Sequence, residues 1–175
     1  MARVSIYVVR HAHAHPREGW GGSDRHRPLT ERGVKEAEAL TRRFETDLPG
    51  EPPKKRGGRA REPRPTLLLS SGAERCLATL RPLAAACELP IVIAEFLSEG
   101  AEPAEFLLKV NELATTGGVP VLCTHGDVIW GAVELLQAAG ARFASPPEVR
   151  KGSVLILEAE SGSIETARYI PPDKV

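Results

Sequence analysis

Three short stretches of this chain hold residues whose types and spacing could carry chemistry. Val8-Val9-Arg10-His11-Ala12 places an arginine and a histidine together where an apolar run ends. Ser70-Ser71-Gly72-Ala73-Glu74-Arg75 follows a second apolar run, Leu67-Leu68-Leu69, and Thr124-His125-Gly126-Asp127 follows a third, Val121-Leu122-Cys123. A guanidinium fork grips two oxygens of a doubly charged phosphoryl group while an imidazole faces the phosphorus. If the apolar runs are neighbouring parallel strands, their ends converge on one edge, the edge where open α/β sheets bind ligands. Two arginines and two histidines would then surround one anion, helped by the N–H groups of the helices that follow the second and third runs. A single Arg-His pair reads as a structural ion pair. The same kind of group at the end of three runs reads as a site.

The elements that must hold these groups follow from the pattern. Arg3 to Val9 is apolar and β-rich, as a strand covered on both faces should be. Arg10 to Leu29 is a polar loop with four of the five histidines. Thr30 caps a helix in which Val34, Ala37, Leu40 and Phe44 recur at helical spacing. The spacing further predicts strands over Thr66–Ser70, Pro90–Ile93 and Val119–Cys123. Helices are expected from Ala73 to Ala86, from Pro103 to Thr116 and from about Asp127 to Ala139. Pro82 should kink or shorten the first of these, and Pro103 suits the first turn of the second. Trp130 and the stripe Val128, Ala132, Leu135 and Leu136 read as core. Ser153–Ala159 and Ile164–Ile170, joined through Ser161-Gly162, read as an antiparallel hairpin. The sum is a three-layer α/β/α domain spanning 1–175, with a mixed, mostly parallel sheet closed by that hairpin. Asp47 to Pro65, rich in Pro, Gly and basic residues, is expected to be a flexible surface loop without a specific partner.

These motifs resemble the histidine phosphatase, or phosphoglycerate-mutase-like, superfamily. The likeness rests on Val9-Arg10-His11-Ala12, on Ser71-x-x-x-Arg75-x-x-x-Thr79, on Leu97-x-Glu99 and on Thr124-His125-Gly126. Asp24-Arg25-His26-Arg27-Pro28-Leu29-Thr30-Glu31-Arg32-Gly33 is similar to the short SixA-type phosphohistidine phosphatases of that superfamily. The tail Lys151-Gly152-Ser153-Val154 is similar to such domains fused behind Nudix hydrolases, although no Nudix box is present. The resemblance implies that His11 attacks phosphorus and becomes a transient phosphohistidine. It also implies that Arg10, Arg75 and His125 hold the phosphoryl oxygens, and that Glu99 is the proton donor, with Glu102 as a competitor. No cofactor or metal is implied. Ala12 stands where the superfamily usually has Gly, and the continuation typical of the mutases is absent.

The implied activity is hydrolysis of a phosphohistidine in a protein. The alternatives are a small phosphate ester or nucleotide as substrate, or a domain that only binds phosphate. His11-x-His13-x-His15 could bind metal on a strand, but these histidines follow the strand and no Asp/His ligand set accompanies them. His13, His15 and His26 are expected at the rim of the pocket. Trp20 reads equally as a lid aromatic and as a pin for its loop. Acidic and basic residues balance at 23 each, so no global field favours nucleic acid or an anionic membrane. No apolar run has membrane-spanning length. Three cysteines without C-x-x-C spacing suit buried thiols in the cytoplasm.

Overall fold

The computed structural model describes residues 3–46 and 64–173. In chain order the elements are β1 (Val4–Arg10), α1 (Glu31–Thr46), β2 (Leu67–Ser70), α2 (Glu74–Cys87), β3 (Ile91–Ile93), α3 (Pro103–Thr116), β4 (Pro120–Thr124), α4 (Gly126–Ala138), β5 (Arg142–Phe143), β6 (Val154–Glu160) and β7 (Ser163–Ile170). Short 3-10 turns fall at Asp24–His26 and Glu95–Leu97. The strands form one sheet in the order β3-β2-β4-β1-β6-β7-β5. β3, β2, β4 and β1 run parallel, β6 is antiparallel to both β1 and β7, and β5 is parallel to β7.

Side chains alternate across a strand, and β1 shows what that does here. Ile6 and Val8 point into an apolar cluster with Phe106 and Val110 of α3 and Val128, Ile129 and Ala132 of α4. Tyr7 and Val9 point the other way, to Leu40 and Phe44 of α1 and Leu80 and Leu83 of α2. Phe44 meets Tyr7 edge-on at 5.2 Å between ring centres. The sheet therefore carries two helices on each face, the three-layer arrangement expected from the alternation of elements.

Several local expectations need correction. Val34 is 47 % exposed, because the buried stripe of α1 runs through Gly33, Glu36, Ala37, Leu40 and Phe44, one position away. In α4 the buried set is Val128, Ile129, Ala132, Val133 and Leu136, which leaves Trp130 and Leu135 more than 40 % exposed. A helix lying on a sheet buries one face only, and the apolar residues here exceed that face. Pro82 does not shorten α2, which continues to Cys87; the cost is one missing N–H donor within a helix otherwise well packed. β5 escapes sequence reading because two residues show no period. The basic segment expected as a loop lies, apart from Arg64 and Pro65, outside the described residues. Among those described, no helix is long and apolar enough to cross a membrane.

Candidate active site

The parallel strands deliver their C-terminal ends side by side. Arg10 lies opposite Thr124 and Ser70 opposite Cys123. The ladder then extends one residue further: the His11 N–H donates to the Thr124 carbonyl at 3.1 Å, and the Ser71 N–H to the Cys123 carbonyl at 3.0 Å. On the other side, the Gly152 N–H donates to the carbonyls of Arg10 and His11, both at 3.1 Å. The backbone at Arg10-His11 is thus clamped from both sides before either side chain makes a contact.

His11 is buried. Its Nδ1 lies 2.8 Å from the Ala12 carbonyl, an acceptor only, so Nδ1 carries the proton and Nε2 keeps its lone pair. Burial lowers its pKa to about 3, aided by the charges of Arg75, Arg10 and His125 and opposed by the Ala12 hydrogen bond. The ring is neutral at physiological pH and packs edge-on to His125, 5.4 Å between centres. Ala12 fits in place of a glycine because its φ is negative and its methyl joins Ala14, Leu29 and Ala37 in a small apolar cluster. The Ala12 N–H donates to Thr79 Oγ1 at 2.9 Å, and that hydroxyl donates to the Arg75 carbonyl at 2.7 Å, tying the His11 loop to α2.

Arg10 donates from Nη1 to the Val149 carbonyl at 2.6 Å. Val149 adopts φ +48°, a conformation a β-branched residue takes only under constraint, so this carbonyl is held at some cost in backbone strain. The Arg10 guanidinium also lies against Gly126, where a Cβ would come within 2.8 Å of Cζ. Arg75 is about 1 % exposed. It donates from Nη1 to Asp24, both to the carbonyl (2.9 Å) and to Oδ2 (3.0 Å), and from Nη2 to Glu99 Oε2 (2.8 Å). Arg10 Nε and Arg75 Nε are buried with no hydrogen-bond partner among the described residues.

His125, at the end of β4, has Nε2 2.8 Å from Ser71 Oγ and Nδ1 3.4 Å from Arg75 Nη2. A guanidinium only donates, so Nδ1 is the acceptor and Nε2–H points to Ser71. The buried Cys76 thiol also touches Nε2, at 3.5 Å.

Glu99 lines the pocket, and Glu102 instead precedes the first turn of α3. Asp127 fixes the Glu99 loop by accepting the Gly100 N–H at 2.7 Å. The structure adds two residues that no motif reading singled out, Asp24 and Arg17. Arg17 donates to Glu99 Oε1 at 2.6 Å and to Asp24 Oδ1 at 3.1 Å, and Arg27 reaches Asp24 Oδ1 at 2.8 Å. Burial pushes the Asp24 carboxyl up, but the Arg27 hydrogen bond and the charges of Arg75, Arg27 and Arg17 outweigh it and hold the pKa at about 2. Asp24 stood inside the SixA-like motif; its partners are what single it out.

Beside them lies a pocket of about 200 Å³ bounded by Asp24, Arg25, Gly72, Arg75, Glu99 and His125, among others; Arg10 and His11 are not in its lining, and His11 adjoins it through its ring contact with His125. His13, His15 and His26 are not in its lining, and His13 Nδ1 is instead 2.8 Å from Thr30 Oγ1. Trp20 donates its indole N–H to the Ser23 carbonyl at 3.0 Å and packs on Gly22, closing its own turn.

Fold and site together define an α/β protein with a crevice of paired arginines and carboxylates at the C-terminal ends of its parallel strands. The chain belongs to the histidine phosphatase superfamily (branch 1), whose sequence profile matches residues 6–102. It is 33 % identical over 174 residues to an 8-oxo-(d)GTP phosphatase of Mycolicibacterium smegmatis, covering 97 % of this chain and 49 % of that protein. The chain therefore spans about half the length of this curated relative. Among solved structures it is similar to the protein histidine phosphatase SixA complexed with tungstate, with a TM-score of 0.68, 16 % identity and 97 % and 96 % of the two chains covered. It is also similar to an α-ribazole phosphatase from Shigella flexneri, with a TM-score of 0.63, 15 % identity and 94 % and 93 % covered. At these identities the likeness speaks for the fold.

Proposed function

We propose that this chain is a metal-independent phosphatase working through a phosphohistidine on His11. The observation that carries the reading is the pair of orphaned donors. Arg10 Nε and Arg75 Nε are buried cationic N–H groups without partners among the described residues, a costly arrangement unless an anion accepts from them. Near them stands an imidazole kept neutral, with its Nε2 lone pair unengaged by any hydrogen bond among the described residues. Nε2 attacks phosphorus, and Arg10, Arg75 and His125 hold the phosphoryl oxygens, His125 by redirecting its Nε2–H from Ser71 Oγ to the anion. Stabilisation by such fixed charges dominates phosphoryl transfer. Glu99, rather than Glu102, is the acid–base residue, because it alone of the two faces the pocket. It takes the proton of the attacking water in the second step.

For the substrate, the motif Asp24–Gly33 supports a phosphohistidine in a protein. A nucleotide is the second reading, supported by the 8-oxo-(d)GTP phosphatase relative. The three free cysteines suit a reducing, cytoplasmic setting. The test is hydrolysis of an aryl phosphate in EDTA by wild type and His11→Ala. Activity that persists in EDTA and vanishes with His11 is expected. Equal rates for the two proteins would leave only a phosphate-binding domain, and loss on chelation would bring a metal into the mechanism.

A further inference from the structure

Among the pocket's arginines, one is differently placed. Arg75 is ion-paired through Nη1 with Asp24 and through Nη2 with Glu99, and Arg17 and Arg27, which surround the pocket's carboxylates, are ion-paired as well. Arg25 lines the pocket and has no acidic partner among the described residues. Its guanidinium is nevertheless located: Nε donates to the Gly72 carbonyl at 3.3 Å, and the group lies against Gly72, where a Cβ would sit 2.9 Å from Nη2. Gly72 directly follows Ser71, the partner of His125. The absent side chain at Gly72 is thus the seat on which a cation rests at the mouth of the phosphoryl site.

We infer that Arg25 is a specificity-determining residue: it binds a second phosphate adjoining the transferred phosphoryl group, so that the site selects phosphoanhydrides. The inference rests on His11 being the phosphoryl acceptor, and it selects and narrows the second substrate reading.

The state of the pocket's carboxylates supports it independently. Asp24 is held ionised by three arginines, and both oxygens of Glu99 accept from guanidinium groups. In this arrangement neither offers an O–H to a leaving group. An alkoxide or imidazole leaving group needs that proton; a phosphate does not. In the first step the bond from the terminal phosphorus to the bridging oxygen breaks as the His11 Nε2–P bond forms. The electron pair departs with the bridging oxygen on a phosphate anion that Arg25 neutralises. In the second step water attacks phosphorus, its proton passes to Glu99 and then to solvent, and inorganic phosphate leaves with His11 restored.

The test compares kcat/KM for ADP, inorganic pyrophosphate, AMP and 4-nitrophenyl phosphate, all in EDTA, for wild type, Arg25→Gln, Arg25→Lys and Gly72→Ala. Wild type should favour ADP and pyrophosphate over AMP. Arg25→Gln should lower kcat/KM for both anhydrides about tenfold to a hundredfold more than for 4-nitrophenyl phosphate, the loss expected for one charge-assisted contact. Arg25→Lys should restore part of it, and Gly72→Ala, which pushes the guanidinium off its seat, should follow Arg25→Gln. Equal losses on all substrates, no preference for ADP over AMP, or a loss on ADP but not on pyrophosphate would each overturn the assignment. His11→Ala separates the two levels: if it abolishes aryl phosphate hydrolysis while Arg25→Gln shows no selective effect, the phosphatase reading stands and only the role of Arg25 falls.

Discussion

Burial of a neutral His11 makes the protein's stability depend on pH with a sign and size that can be worked out. The folded-state pKa is about 3, against an ordinary value of 6.5 in the unfolded chain. Above the unfolded value neither state is protonated and His11 contributes nothing to the pH dependence. As pH falls through 6.5 the unfolded chain takes up a proton that the folded chain refuses, so stability declines. At pH 5 the unfolded histidine is almost fully protonated, about 1.5 pH units below its pKa, which amounts to about 2 kcal/mol. That figure is governed by the unfolded value, because pH 5 is still well above the folded one. Asp24 has the opposite sense of stabilisation. Its folded pKa of about 2 lies below the ordinary 3.8, so its contribution is present above that value and lost only as pH falls further. The window from pH 7.5 to 5 therefore lies above the range in which Asp24 titrates, and the Cys76 thiol, which burial pushes up but hydrogen bonds to Cys123 and His125 bring down to about 6, titrates alike in wild type and variant. His13, whose pKa burial also lowers, adds a term of the same sign, and it cancels when wild type is compared with His11→Asn. Urea denaturation at the two pH values should show wild type losing about 2 kcal/mol more than the variant. Identical losses would show that His11 is not held neutral by burial, and the account of its nucleophilicity would fail with it.

Further outcomes follow from the same geometry. Gly126→Ala puts a Cβ within 3.0 Å of the Arg10 guanidinium; the protein should keep its melting temperature within a few degrees while kcat/KM drops about tenfold or more through misplaced charge. Gly33→Ala drives a methyl into the His13 carbonyl, and urea titration should show a loss of about 1–3 kcal/mol, as overpacking costs. Glu99→Gln should slow hydrolysis of the phosphoenzyme about a hundredfold, so that acid-labile phosphate accumulates on the protein in a rapid-quench experiment. A Glu99→Gln protein with normal turnover would move the base elsewhere.

The local parts of the fold were legible because their causes are local. Apolar runs, the Thr30 cap and Pro103 at a helix start are read from neighbours in sequence, and the strands and helices they predict are present. Errors arose where burial depends on what lies opposite: Val34 and Leu135 carry the right apolar character on the wrong side of their helices. The two-residue β5 has no pattern to read. At the site, motif spacing named Arg10, His11, Arg75 and His125, and the structure places them at neighbouring ends of parallel strands, with Arg75 and His125 lining the pocket. It could not name Arg17, whose role comes from reaching a carboxylate 82 residues away.

The sequence by itself determined which groups stand at the strand ends, since a chain turning out of a buried strand must expose the next residues at that edge. It thereby determined the class of chemistry. The tertiary structure decided the state those groups are in. Arg10 is held by the carbonyl of Val149, 139 residues distant, and Arg75 by Asp24, 51 residues before it. His11 is neutral because the packed fold excludes water and gathers positive charge around it. Desolvation and charge proximity are properties of a folded neighbourhood, and no spacing of residues along the chain encodes them.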